Sequence, residues 1–475
     1  MTIDRKWMVL ISLFLGTYIG PLNSSVTNIA LPYIASYFDT TISNAGWVTM
    51  SFLLVATSLM LAYGRAGDIY GHRPVYLTGF IILIVASGLS GMAAALWQLV
   101  IFRGIQAVGA GMMMATVSAI VTETFPAAER GKALGLSSMT VAMGLATGPI
   151  IGGMLVAACG WRSVFLVNIP IGLIGFLWSW YYLPATSARK IQVFDTAGAI
   201  TLFFALTSLL LFLSKGKQWG WTSGTGGLLL LSFLLMFSLF IIAERKSKAP
   251  MVDLNLFRDR LFSAANTSTF LNYIAQYSLV FLLPFYLERV RHMAPRDMGL
   301  LLTSFPLFYL IAAPISGAIS DKVGTRIPAG LGMALTAAGL WGLSLLTPDT
   351  SFAYIALQLA LIGIGTGTFQ SPNNSAIMGC VPRSRLGLAS SMLAGNRNLG
   401  MVMGVAISSA VFSSRYANFL GGGQDKGDAV AFVWAVNSAF MVAALAATAG
   451  IITSLVAGRD HDLDPAPATT DAGRP

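Results

Sequence analysis

A chain that repeats apolar runs of roughly 18–25 residues about fourteen times has few ways to fold. Such a run crosses the ~30 Å hydrocarbon core of a bilayer as one helix. Only a helix or a closed barrel satisfies its backbone polar groups there without water. The composition agrees: the chain has 475 residues, 55% hydrophobic and 10% charged, against about a quarter charged in soluble domains. The runs fall near 7–29, 45–63, 74–93, 96–122, 132–157, 164–183, 196–213, 226–243, 261–286, 298–319, 328–346, 352–378, 387–412 and 430–456. The first is longer than a signal-peptide core and lacks a small-residue cleavage site, so it reads as a span. An even number of spans puts both termini on one side. That side collects most of the bases, among them Arg65, Arg73, Arg130, Lys132, Lys322, Arg326, Arg383 and Arg385. The positive-inside rule makes it cytoplasmic. The net charge of +10 therefore reads as a topology signal rather than as a nucleic-acid surface. Cys159 and Cys380 fall on opposite sides and are not expected to pair.

Within this train one pattern occurs twice. Gly64-Arg-Ala-Gly-Asp68-Ile-Tyr-Gly71-His72-Arg73 is echoed by Gly317-Ala-Ile-Ser-Asp321-Lys-Val-Gly324-Thr-Arg326. Both read Gly-x-x-x-Asp-x-x-Gly-x-Arg between two apolar runs, so the chain is internally duplicated. The glycines permit a tight reversal. The pattern resembles the signature loop of the major facilitator superfamily, which joins the second and third helices of each six-helix half. Asp68 and Asp321 stand 253 residues apart (321 − 68), whereas six spans with their loops need only about 180–200. The excess fits one extra helical pair. The expected fold is an all-α membrane protein of the major facilitator type, with about fourteen spans in a six, two, six layout. Its parts are an N-terminal bundle over 1–190, a two-helix insert over 191–252, a C-terminal bundle over 253–458 and a disordered cytoplasmic tail over 459–475.

Further motifs carry the same resemblance. In the fourth span Arg103 and Gln106 precede Gly109 and Gly111, with Ala107 where the family usually has glycine. An intramembrane Arg must face the bundle interior, a cavity or a partner, unless it snorkels to the interface. The resemblance ties it to proton coupling. In the fifth span Gly144, Gly148, Pro149, Gly152 and Gly153 would allow close helix approach and a bend. They match the motif of the antiporter branch and read as a gate. Trp161-Arg162 through Asn168 to Gly172 resembles a hallmark of the fourteen-span drug:proton antiporters and reads as an anchor. So does the stretch from Gly387 through Arg397 to Gly404.

The antiporter branch usually has an aspartate where this chain has Asn23, and no acid lies well inside any span. Either proton coupling runs through Arg103, Gln106 and the interfacial acids Asp68 and Glu123, or it works differently here. Asn23, Tyr18, Gln276, Tyr277, Gln370 and Arg397 are the candidate cavity wall, with Gln106, Asn272 and Gln358 as further polar candidates. An acid replacing Asn23 is expected to strengthen recognition of cations. The conformational switch is assigned to Gly64, Asp68, Gly71, Arg73, Glu123, Asp321, Arg326 and Gly387. Two contacts are expected of it: an Asp68–Arg73–Glu123 cluster complete only in the first half, and Asp68 capping the thirteenth span near Gly387.

The resemblance implies a multi-pass transporter of the plasma membrane, monomeric and without cofactors. It would export lipophilic or amphipathic small molecules in exchange for protons, through alternating access. A transporter of an organic anion or another specific solute is the alternative, the anion because Arg103 and Arg397 are both positive. An enzyme would need a His or Cys cluster or paired carboxylates inside the membrane. His72, His292 and His461 instead fall in loops or the tail. A channel would need a repeated filter loop, which the chain lacks.

Overall fold

The computed structural model describes residues 5–184, 196–220, 222–247, 256–381, 386–421 and 428–457. The helices of the first half are α1 Arg5–Tyr37, α2 Ile42–Tyr70, α3 His72–Gly91, α4 Leu96–Thr124, α5 Ala127–Cys159, the single turn α6 Ser163–Leu166 and α7 Asn168–Tyr182. Next come α8 Thr196–Trp219 and α9 Gly224–Lys246. The second half holds α10 Arg260–Arg289, α11 Pro295–Leu302, α12 Ser304–Val323, α13 Arg326–Leu343, α14 Phe352–Gly379, α15 Leu386–Gly421 and α16 Asp428–Ala457. Among the described residues 12 helical segments are long and apolar enough to cross a membrane, α6 with α7 and α11 with α12 each counting as one. Two further long helices, α13 and α15, fall outside that set. Met333, Thr336, Ala337 and Leu340 of α13 are buried between α14 and α16, and α15 lies against α10. Among the described residues twelve segments, rather than the expected fourteen, thus qualify as spans by length and apolarity.

The duplication appears in the packing. In the first half α3 packs on α4, α1 on α5, α2 on α4 and α3 on α7. In the second, α13 packs on α14, α10 on α15, α12 on α14 and α13 on α16. The pairings correspond one to one. The two extra helices pair with each other, and α8 also leans on α2 and α15. Trp47 Nε1 donates to Ser214 Oγ at 3.1 Å and Lys215 Nζ to Asn44 Oδ1 at 2.6 Å, so α8 is stitched to the start of α2. The tail over 459–475 and the expected boundaries of the insert lie outside the described residues.

The duplicated pattern is mostly helix rather than loop. One glycine makes each reversal: Gly71 at φ 91° between α2 and α3, and Gly324 at φ 81° between α12 and α13. Both need the positive φ that only glycine adopts at little cost. Gly64, expected to help the reversal, instead sits within α2 with no described atom within 4 Å of where a Cβ would stand. Gly71→Ala is expected to lose about 1–3 kcal/mol at this backbone conformation. A lower melting temperature than that of Gly227→Ala, on the open side of α9, checks it.

The halves meet at the end away from the termini. Ser43 of α2 and Ser413 of α15 stand 2.5 Å apart, oxygen to oxygen, and Ser409 donates to Ser43 at 2.9 Å. A Cβ on Gly153 of α5 would stand 2.5 Å from the Pro295 carbonyl and 3.1 Å from the Gly299 Cα of α11. At the terminal end Gly64, Gly135, Gly379 and Gly395 each have no described atom within 4 Å of a Cβ position. The far end is packed shut.

Candidate functional site

At the terminal end the acid cluster differs from expectation. Asp68 ends α2, Glu123 ends α4, and the side chain between them is His72, not Arg73. His72 Nε2 lies 3.9 Å from Asp68 and 3.5 Å from Glu123, and the ring is buried. Arg73 donates to the Trp180 carbonyl at 2.7 Å and faces the Trp180 ring at 5.8 Å. Helix geometry explains the correction. His72 is the first residue of α3, and the next position is rotated about 100° round the axis, toward α7 rather than α4. In the second half Asp321 is exposed. Asn373, expected near the place of an acid, turns instead to α10, donating to Ala265 O at 3.2 Å and Thr269 Oγ1 at 2.8 Å. The side chain environment of position 387 and the chain over 382–385 lie outside the described residues, and so does any cap that Asp68 makes there.

Arg103 does not snorkel. Its side chain is 0% exposed, although it is the eighth residue of α4. Nε donates to the Val48 carbonyl of α2 at 3.2 Å, and one terminal nitrogen to Gln106 Oε1 at 2.5 Å. Gln106 passes its own amide to Ser87 of α3 at 2.7 Å. The guanidinium lies over Phe52 at 4.5 Å and near Phe165 at 5.8 Å. No acid among the described residues lies within 4 Å of it, and its other terminal nitrogen has no hydrogen-bond partner there. A fully desolvated cation with only neutral partners is costly and calls for a functional reason.

The glycine motif of α5 has two faces. Gly144, Gly148 and Gly152, four residues apart, lie against Tyr18, Ser25 and Val26 of α1. Gly153 and the Pro149 carbonyl face Gly299 of α11 across the junction between the halves. The motif is thus one wall of the closed far end as well as a seam inside its own half. Next to it the Tyr18 and Thr147 hydroxyls share a 2.8 Å hydrogen bond.

Asn23 does not line a cavity. It is 1% exposed and accepts a 3.0 Å hydrogen bond from Asn168 Nδ2, tying α1 to α7. Adding an acid there would place the charge against an amide inside the first half, so Asn23→Asp is now expected to leave cation transport unchanged. Asn168→Leu would strand the Asn23 acceptor and is expected to cost about 1–3 kcal/mol. A lower unfolding temperature in detergent checks this. Gln106, Asn272 and Gln358 are likewise packed inside their own bundles, Asn272 against Met333 and Gln358 under Gly342.

Of the remaining wall candidates, Gln370, Arg397 and Tyr277 lie together. Tyr309 of α12 donates to Gln370 Oε1 of α14 at 2.6 Å, and Gln370 donates onward to the Tyr273 hydroxyl of α10. Arg397 of α15 stands beside Tyr273 and within electrostatic reach of Tyr277 and Tyr309. Tyr277 lies against Ser24 of α1, so this face looks across to the first half. Gly400 and Gly404 allow the approach: Cβ atoms there would stand 2.8 Å from Phe270 O and 2.7 Å from Ile274 O on α10. Sequence alone did not single out Tyr273, Tyr309 or His72. Tyr273 and Tyr277 lie one helical turn apart beside Asn272 and Gln276, a usable signal, whereas nothing local marks Tyr309.

The Major Facilitator Superfamily profile matches residues 13–252 and 266–473. The chain belongs to the major facilitator superfamily. Among relatives of this superfamily, it is 36% identical to the riboflavin transporter RibZ of Clostridioides difficile, over 96% of this chain and 99% of that protein. It is 31% identical to the tetracenomycin C resistance and export protein of Streptomyces glaucescens, over 86% of this chain and 77% of that one. It is 30% identical to the multidrug resistance protein Stp of Mycobacterium tuberculosis, with coverage of 86% and 76%. In fold it matches a bacterial homolog of the human lysosomal transporter Spinster, crystallised in an inward-facing, unoccupied conformation. The TM-score is 0.74 at 15% identity, covering 96% of this chain and 98% of that one. The protein is therefore a multi-span facilitator-type transporter, not an enzyme.

Proposed function

We propose that this transporter exports amphipathic small molecules from the cytoplasm across the plasma membrane in exchange for protons. It would act as a monomer with both termini cytoplasmic and with six, two, six organisation (1–190, 191–252, 253–458). The observation that carries the reading is the far-end closure. The glycine motif that resembles the antiporter branch supplies that wall through Pro149 and Gly153, against Gly299. On this orientation the structure faces inward, the state in which an exporter loads. Arg103 is the coupling candidate, a buried base with an unused donor, and the Asp68–His72–Glu123 group at the other end of α4 is a separate one. The export and resistance names of two relatives support the substrate class. A second reading, transport of a specific flavin-like solute, is favoured by the 36% identity that runs through 99% of the riboflavin transporter.

The test is purified protein in proteoliposomes with an imposed pH gradient, against cationic, neutral and anionic amphiphiles. Substrate movement opposite to protons, abolished by a protonophore, is the expected result. Accumulation in the direction of proton flow would favour the second reading.

A further inference from the structure

We infer that the second half carries a seat for a planar ring compound with carbonyl or anionic edges, formed by Tyr273, Tyr309, Gln370 and Arg397. The inference rests on the transport reading and narrows it to neutral or anionic solutes. Three observations carry it. First, the polar chain is held in advance. Tyr309 donates to Gln370, Gln370 donates to Tyr273, and Arg397 stands beside that hydroxyl. Four helices each contribute one member, so a ligand need not order loose side chains. Second, the seat has unused hydrogen-bonding capacity. Arg397 Nε is buried without a hydrogen-bond partner among the described residues. A ring that presents a carbonyl or carboxylate to the guanidinium would use it.

Third, the charge has one sign. No acid among the described residues lies within 4 Å of Arg397, and α10, α12, α14 and α15 carry acids only at Glu288 and Asp321. Both are in the last turns of their helices. An unneutralised guanidinium in a poorly solvated wall attracts acceptors and repels cations. Tyrosine rings add flat apolar area that stacks well on planar ligands.

The experiment is fluorescence-quenching titration of the full-length protein in detergent with three planar probes, riboflavin (neutral), fluorescein (anionic) and ethidium (cationic). Riboflavin and fluorescein are expected to bind at least about tenfold more tightly than ethidium. Arg397→Gln should weaken both by about tenfold, the loss of one charge-assisted hydrogen bond, and should not weaken ethidium. Gln370→Leu, which cuts the chain without touching the charge, reads the same seat if the Arg397 variant does not fold. It should weaken riboflavin by a similar factor. Ethidium binding as tightly as riboflavin, no probe binding, or unchanged affinities in both variants would each overturn the proposal. The failures are separable. Binding that depends on Arg397 without proton-driven transport sinks the transport reading and leaves the seat. Proton-driven transport indifferent to both substitutions does the reverse.

Discussion

Gly153→Val is expected to reduce transport by about tenfold or more while leaving the protein folded. Its Cβ alone would stand 2.5 Å from a backbone carbonyl of α11, and backbone cannot swing aside as a side chain can. Overpacking of this kind costs about 1–3 kcal/mol. The whole cost falls on the state in which the far end is shut, because that is where α5 and α11 meet. The population therefore moves toward the outward-open state, and a transporter that cannot close behind its substrate cycles slowly. A cysteine at Ser409, buried between the halves here, reports the shift in a background with Cys159 and Cys380 replaced. Labelling from the far side should rise in Gly153→Val and stay at the reference level in Gly227→Ala, whose added methyl meets open space. Unchanged labelling with unchanged transport would mean that α5 and α11 need not separate.

Arg103→Gln has the second large effect, and it should separate stability from function. Arg103 is 0% exposed and bonded only to neutral groups, so replacing it removes a desolvated charge that no acid repays. The melting temperature is expected to hold or rise. Transport driven by a pH gradient should nevertheless fall by on the order of a hundredfold, equivalent to two charge-assisted hydrogen bonds. Arg103→Lys should not restore it, because one ammonium cannot span the Val48 carbonyl and Gln106 as a planar fork does. If stability and transport fell together in Arg103→Gln, the residue would be a structural tie between α4 and α2.

Much of the architecture could be read from one dimension. Hydrocarbon allows a long apolar run little besides a helix, so the spans followed from composition and length. The recurring Asp-x-x-Gly-x-Arg pattern implied two equivalent halves, and their helix pairings do correspond. Glycine spacing in α5 marked a tight seam. It did not say that Gly144, Gly148 and Gly152 serve the first half while Gly153 serves the junction.

What sequence determined by itself is therefore the periodic part: the apolar helices, the duplication and the glycines at the two reversals. These depend on local rules, apolar length and backbone conformation, which each segment obeys without its neighbours. Tertiary structure decided the partners. A 100° step on a helix sends His72 rather than Arg73 toward Glu123, and a facing Asn168 turns Asn23 from a cavity residue into a tie. The Tyr273–Gln370–Tyr309–Arg397 group draws on four helices that no local spacing relates. Polar side chains inside a membrane must find partners, and which partners they find is settled only when the helices pack.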